Sequence, residues 1–314
     1  MAVLDDYASV ARGLGPWERL EGRAEVEFLA EHLADEEALA ARLAGFDVVV
    51  AMRERTAFPR SLLARLPVLR LLVTTGMANA AIDLEAARDH GVLVSGTAGR
   101  SAPTAELTWA LILGLVRRLR EEDAAVRAGA WQQGVGGDLE GRRLGLLGLG
   151  RLGRRVAAIG RAFGMEVVAW SEHLRADDAA AVGVTRVERD ELLRTSDVVS
   201  VHLRLSDRTR GLLGARELGL MRPAALLVNT SRGPIVDEAA LLQALHDGAI
   251  AGAGLDVFDV EPLPAEHPLR TAPRVLLTPH LGYVTEATFR LYFEEAVQDI
   301  EAFLHGAPVR LLGA

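Results

Sequence analysis

The sequence predicts an α/β protein built from two doubly wound parallel-sheet domains. Three observations carry this expectation. The chain has 314 residues, more than one hydrophobic core usually serves. Short apolar runs alternate with helix-like stretches along its whole length, the pattern of βαβ units. A glycine-rich fingerprint begins near Gly148 rather than at the amino terminus, so a complete α/β unit precedes it.

In the first third, apolar runs at Ala2–Leu4, Val26–Leu29, Val48–Ala51, Leu69–Val73 and Val92–Val94 read as strands. The alanine-rich stretches Asp35–Leu43, Pro59–Leu66 and Asp83–His90 between them read as helices. One long helix is expected over Ala102–Arg127, with Ser101 as its cap and Pro103 in its first turn. A second series follows. Its strands are expected at Arg143–Leu147, Glu166–Ala169, Val198–His202, Ala225–Asn229, Gly252–Val257 and Val275–Thr278. Helices are expected at Gly150–Phe163, Arg189–Arg194 and Glu238–Asp247, with a closing helix from Glu286 to Leu304.

Composition narrows the function. Lys and Arg number 35 against 43 Asp and Glu, a net charge of -8, which argues against a nucleic-acid or anionic-membrane partner. Arg117, Arg118 and Arg120 are followed at once by Glu121, Glu122 and Asp123, a solvated helix end rather than a phosphate-tracking run. The absence of cysteine excludes disulfides, thiolate zinc sites and cysteine nucleophiles. Asp5 and Asp6 are foreign to a signal peptide, and Leu107–Val116 is too short to span a bilayer. The expected location is the cytoplasm.

Four segments carry chemistry. Gly148-Leu149-Gly150-Arg151-Leu152-Gly153 is a G-x-G-x-x-G turn between a strand and a helix. Gly148 permits the tight turn, Gly150 removes a Cβ where a pyrophosphate approaches, and Gly153 lets helix and strand pack closely. The helix amino terminus offers free N–H groups to the phosphates. In Asn229-Thr230-Ser231-Arg232-Gly233, an arginine at a strand's carboxyl end can clamp a carboxylate with two parallel bonds; alone, it could equally be a surface arginine in a turn. Asp256, Asp259 and Glu261 cluster after the next strand, and for Asp259 a solvated turn is the preferred reading. His280, between Pro279 and Gly282, can serve as a general acid or base, although a lone histidine is more often structural.

Taken in order, these segments resemble the D-isomer-specific 2-hydroxyacid dehydrogenase family. The resemblance covers Gly76–Leu84, Ala105-Glu106, Gly148–Gly153, Ser196–His202, Asn229–Gly233, Leu255–Pro262 and Thr278–Gly282. It implies a flavodoxin-like substrate domain over 1–98, a Rossmann cofactor domain over 99–285, and a segment, 286–314, that returns to the first. It implies a hydride moved between a nicotinamide and a small D-2-hydroxy acid or 2-keto acid. His280 would then be the acid or base, Arg232 the carboxylate clamp, and Glu261 the partner of His280. Backbone groups of Met77, Ala78 and Asn79 would bind substrate. Thr104, Gly148, Leu149, Gly150, Arg151, Leu152, Gly153, Ser171, His202, Thr230, Arg232, Asp256, His280 and Gly282 would line the cofactor, with Asp256 at its carboxamide end. A homodimer without a metal is also implied.

The chain departs from the family pattern at Met77–Ala80, at Arg204 in place of a common proline, and at Ser171 in place of an aspartate. Ser171 cannot repel a 2′-phosphate, and Arg151, Arg175 and Arg204 would favour one. Glu172, one residue on, favours the unphosphorylated ribose. The expectation is NADH preferred by a modest margin, with NADPH accepted. A dinucleotide-sensing corepressor of the same fold is the alternative reading. Formate dehydrogenase ranks low, because the carboxylate at Glu261 suits proton transfer. A short phosphoglycerate dehydrogenase is a further relative in chemistry.

Overall fold

The computed structural model describes residues 1–313. Its backbone forms two parallel sheets. The first contains β1 (Ala2–Val3), β2 (Glu27–Phe28), β3 (Val48–Ala51), β4 (Leu71–Thr74) and β5 (Leu93–Gly96), in the order β2-β1-β3-β4-β5. The second contains β6 (Arg143–Leu147), β7 (Glu166–Trp170), β8 (Thr185–Arg186), β9 (Val198–Val201), β10 (Leu226–Asn229), β11 (Gly252–Leu255) and β12 (Val275–Leu277). Their order is β12-β11-β10-β9-β6-β7-β8. Every pairing between these strands is parallel.

Parallel strands covered by helices on both faces need no polar alternation. Val-Val-Val-Ala of β3 and Leu-Leu-Val-Thr of β4 are accordingly buried at every position. In the second sheet, successive residues enter different cores. Leu147, Val199 and Leu227 belong to one cluster, and Leu146, Val198 and Val228 to the other. Side chains alternate across a strand, so these clusters are the two faces of the sheet. The chain divides into a unit of Met1–Arg100 with Val284–Ala314 and a unit of Ser101–Tyr283. The first unit has its own core, around Leu43, Phe58, Leu62 and Leu72.

At four α-helix starts the capping residue's side chain accepts a first-turn N–H. Asp35 accepts from Ala38, Asp83 from Ala86, Asp237 from Ala240 and Thr285 from Thr288, at 2.8, 2.8, 2.9 and 3.3 Å. Each such cap contributes about 1 kcal/mol. The closing helix spans Glu286–Leu304. In the first unit, its fully buried Asp299 accepts from Arg310 Nε at 2.8 Å. Burial pushes this carboxyl up to about 7, against the pull of Arg310.

Two helix expectations are corrected. The single helix over 102–127 is two helices, Ala102–Val116 and Leu119–Arg127, broken where Arg118 turns left-handed at φ 54°. The returning chain takes a terminal carbonyl there: Gly137 N donates to Val116 O at 2.9 Å. Ser101 precedes the first of these helices, but its side chain makes no capping bond. The helix Ala215–Leu220 and the edge strand β8 carry too short a pattern to have been expected.

Candidate active site

The fingerprint turn lies at the carboxyl end of β6, where the sheet order reverses between β7 on one side and β9 on the other. Open α/β sheets bind ligands at such a switch point. Gly148 has φ 105°, and a Cβ there would lie 2.6 Å from His202 O. A Cβ on Gly153 would lie 2.2 Å from Gly148 O. These two glycines are required by the chain's own packing. Gly150 differs: a Cβ there would meet nothing within 4 Å. It caps the helix Arg151–Ala162 with no side-chain bond, so the first-turn N–H groups keep their capacity for an anion. That first turn carries no acidic residue and begins with Arg151, the reverse of what a helix amino terminus favours unless an anion sits there. Leu149 is buried and Leu152 half-buried beside the turn. The residues present therefore fit a dinucleotide pyrophosphate.

Three neighbouring strands deliver the remaining groups. Arg232 follows β10, Asp256 and Glu261 follow β11, and His280 follows β12. His280 Nδ1 lies 2.6 Å from Glu261 Oε2, and the other oxygen of Glu261 accepts Phe258 N at 2.9 Å. His280 sits in the left-handed region at φ 54°, which costs a non-glycine residue about 1–2 kcal/mol. The backbone around it is pinned by Asp256. That carboxylate is fully buried and accepts from Thr278 Oγ1 at 2.6 Å, Leu281 N at 2.7 Å and Gly282 N at 2.8 Å. Burial raises the Asp256 pKa against the lowering effect of these donors. Asp256 thus spends both oxygens on the His280 turn, a use the sequence did not reveal. Thr104 Oγ1 donates to Gly282 O at 2.7 Å and fixes the far end of the turn. The Tyr283 ring meets the imidazole edge-on at 5.4 Å.

Arg232 is half-buried, and its Nη1 donates to Ser231 O at 2.7 Å. The turn beneath it is tied by Asn229, whose Nδ2 donates to Arg232 O and whose Oδ1 accepts Ser231 N. Thr230 shares a 2.8 Å hydroxyl contact with Thr108. His202 Nε2 lies 2.9 Å from Ser200 Oγ, and burial pushes its pKa down to about 4, so the ring is neutral at pH 7. Its Nδ1 is buried and has no hydrogen-bond partner among the described residues. Ser171 directly follows β7. Glu172 does not stand alone after it: Arg208 Nη1 donates to its carboxylate at 2.9 Å.

In the first unit, Met77 and Ala78 are exposed and Asn79 is buried. The Asn79 side chain donates to Arg53 O at 2.7 Å and Thr74 Oγ1 at 2.8 Å and accepts Ala81 N at 2.9 Å, so it braces the loop from inside. Arg53 adds a second brace, with Nη1 donating to Thr75 O at 3.0 Å. A Cβ on Gly76 would collide with that guanidinium. No sequence signal singled out Arg53 or Arg208, because each is identified only by the loop its side chain reaches. No group of His, Cys, Asp and Glu among the described residues could hold a metal, and no described helix is long and apolar enough to cross a membrane.

A Rossmann domain for NAD joined to a separate α/β unit, with a histidine–carboxylate contact beyond the strand ends, marks a nicotinamide-dependent oxidoreductase of small hydroxy or keto acids. The chain belongs to the D-isomer-specific 2-hydroxyacid dehydrogenase family: the sequence model of that family's NAD binding domain matches residues 109–282. The chain is 42% identical over 255 residues to a glyoxylate reductase of Aeropyrum pernix, covering 78% of this chain and 76% of that one. It is 35% identical over 287 residues to a D-3-phosphoglycerate dehydrogenase of Bacillus subtilis, covering 90% of this chain and 54% of that longer protein. A crystal structure of a phosphoglycerate oxidoreductase from Vibrio cholerae superposes with a TM-score of 0.93 at 38% identity, covering 98% and 99% of the two chains.

Proposed function

We propose that this chain reduces a small 2-keto acid, of the glyoxylate or hydroxypyruvate kind, to the D-2-hydroxy acid, with His280 as proton donor. The single observation that carries this reading is the 2.6 Å contact between His280 Nδ1 and Glu261 Oε2. It fixes the ring by one nitrogen and leaves Nε2 as the proton-carrying atom. When bound, the nicotinamide supplies or accepts the hydride. The chain's own residues supply the rest.

Protonated His280 donates to the substrate carbonyl oxygen as charge develops there, and takes the proton back in the reverse direction. Glu261 orients the ring through its contact with Nδ1. Arg232, on a turn braced by Asn229, holds the substrate carboxylate with its planar fork. Asp256 acts through the backbone of the His280 turn. Met77, Ala78 and Asn79 are assigned to substrate through their backbone N–H groups, on a loop braced by Asn79 and Arg53. NADH is assigned as the preferred cofactor, by tenfold or less, an energy of about 1.4 kcal/mol at most.

We place the protein in the cytoplasm as a homodimer. The helix Leu119–Arg127 buries none of its own residues, and Leu119, Val126, Trp131 and Val135 are exposed along this helix and the segment after it. An apolar group of that size on a surface is ordinarily covered by a partner, and a second copy is the occupant assigned here.

The test is His280→Ala, assayed for keto-acid reduction and, separately, for NADH binding. Loss of general acid catalysis should lower kcat by roughly 10²–10⁴-fold with cofactor affinity kept. Turnover at the wild-type rate would remove His280 from the mechanism.

A further inference from the structure

The ion pair between Glu172 and Arg208 connects two loops that hang from different strands. Glu172 lies two residues beyond β7, and Arg208 lies in the loop that follows β9. Both strands pair with β6 and flank it on opposite sides. Neighbouring strands are about 4.8 Å apart, so the contact at 2.9 Å spans roughly 10 Å of sheet edge. It does so at the carboxyl end of the strand that feeds Gly148–Gly153. Gly148 N donates to Trp170 O at 2.8 Å, and Leu203 Cδ2 would lie 3.2 Å from a Cβ on Gly148, so both loops adjoin the fingerprint turn.

The Arg208 loop is held in shape by its own bonds. Thr209 Oγ1 donates to Arg204 O at 2.7 Å and accepts Ser206 N at 2.8 Å, and Ser231 Oγ donates to Leu203 O. The ion pair itself is open to water, with 67% of the Arg208 side chain and 55% of the Glu172 side chain exposed. Such a pair contributes little to stability. A ligand anion can therefore take Arg208 from Glu172 without disturbing the fold. Of the other arginines, Arg175 and Arg151 are committed elsewhere. Arg175 is 77% exposed and faces Asp177 at 4.0 Å, and Arg151 belongs to the first turn of the fingerprint helix.

We propose that Arg208 is the residue through which this chain accepts a 2′-phosphorylated dinucleotide, and that Glu172, by holding Arg208, limits how strongly it does so. This rests on the nicotinamide-cofactor reading above. A ribose without the phosphate meets a carboxylate whose charge Arg208 has already neutralised. A 2′-phosphate competes with Glu172 for the same guanidinium, gains its planar fork and is repelled by the carboxylate it displaces. The pair therefore keeps the two cofactors close in affinity, whereas an unpaired carboxylate would reject the phosphate outright.

The experiment measures the Kd of NADH and of NADPH by fluorescence titration for wild type, Arg208→Gln, Glu172→Gln and the double variant, at low and moderate salt. Arg208→Gln should weaken NADPH about tenfold, as expected for one charge-assisted contact, and leave NADH within about threefold. Glu172→Gln should tighten NADPH severalfold, and the double variant should lose that gain. The NADPH affinity of wild type should fall with salt more steeply than that of Arg208→Gln. If Arg208→Gln leaves NADPH unchanged, or weakens both cofactors equally, the proposal is overturned while the cofactor reading stands. If wild type binds neither dinucleotide, the cofactor reading fails and the proposal with it. Because both side chains are exposed, thermal unfolding of the variants should match wild type, which separates a binding effect from a folding defect.

Discussion

Glu261 uses its two oxygens for two jobs. One accepts Phe258 N and fixes the carboxylate in its own turn; the other meets His280. Rigidity and charge are thus delivered together, and a substitution can separate them. Glu261→Gln keeps the shape and removes the charge. The imidazole then loses its negative neighbour, so kcat for keto-acid reduction should fall about tenfold or more while NADH affinity is kept. A wild-type kcat in this variant would reduce Glu261 to a turn residue. Arg232, Glu261 and His280 stood out in the sequence only as groups after strands among glycines and prolines, and it was the ordered resemblance to the family that gave them roles. The left-handed conformation of His280 was not legible there, and neither was the commitment of Asp256 to the His280 turn. Both depend on which backbone N–H groups converge on one buried carboxylate, and no local pattern encodes that convergence.

Strands and helices were read well where burial is two-sided and long. The apolar runs of β3, β6 and β10 announce themselves, and the closing helix has the predicted span. The reading failed where tertiary contact decides, as at Arg118, where the chain returning through Gly137 ends a helix that the pattern would continue. The fingerprint element makes the same distinction testable. Gly153→Ala drives a methyl into Gly148 O and should destabilise the cofactor-free protein by about 1–3 kcal/mol, seen as a lower Tm. Gly150→Ala places its methyl in open space, so its Tm should match wild type while the Kd for NADH rises about tenfold or more. Undiminished NADH affinity in Gly150→Ala would mean that no pyrophosphate crosses that glycine.

The whole molecule joins a parallel five-stranded sheet to a parallel seven-stranded one, each with its own core. The size and the interrupted α/β pattern made this architecture legible before any residue role was. The exposed apolar group on and after Leu119–Arg127 is the feature that a lone chain leaves unexplained. Trp131 is 78% exposed, so Trp131→Glu should leave the monomer folded. Sedimentation velocity should find wild type dimeric at micromolar concentration and the variant shifted to monomer; a wild type that sediments as a monomer throughout would leave the patch to another partner. The central claim is hydride delivery to C2 of a keto acid, with the opposite proton from His280. It is tested most directly by supplying NADH deuterated at the transferring position together with glyoxylate, hydroxypyruvate or pyruvate, and analysing the product by mass spectrometry and chiral separation. The account predicts one deuterium at C2 of the hydroxy acid, the D-enantiomer wherever C2 is a stereocentre, and a rate that collapses in His280→Ala. An L-product, or bound NADH that no keto acid ever oxidises, would contradict it.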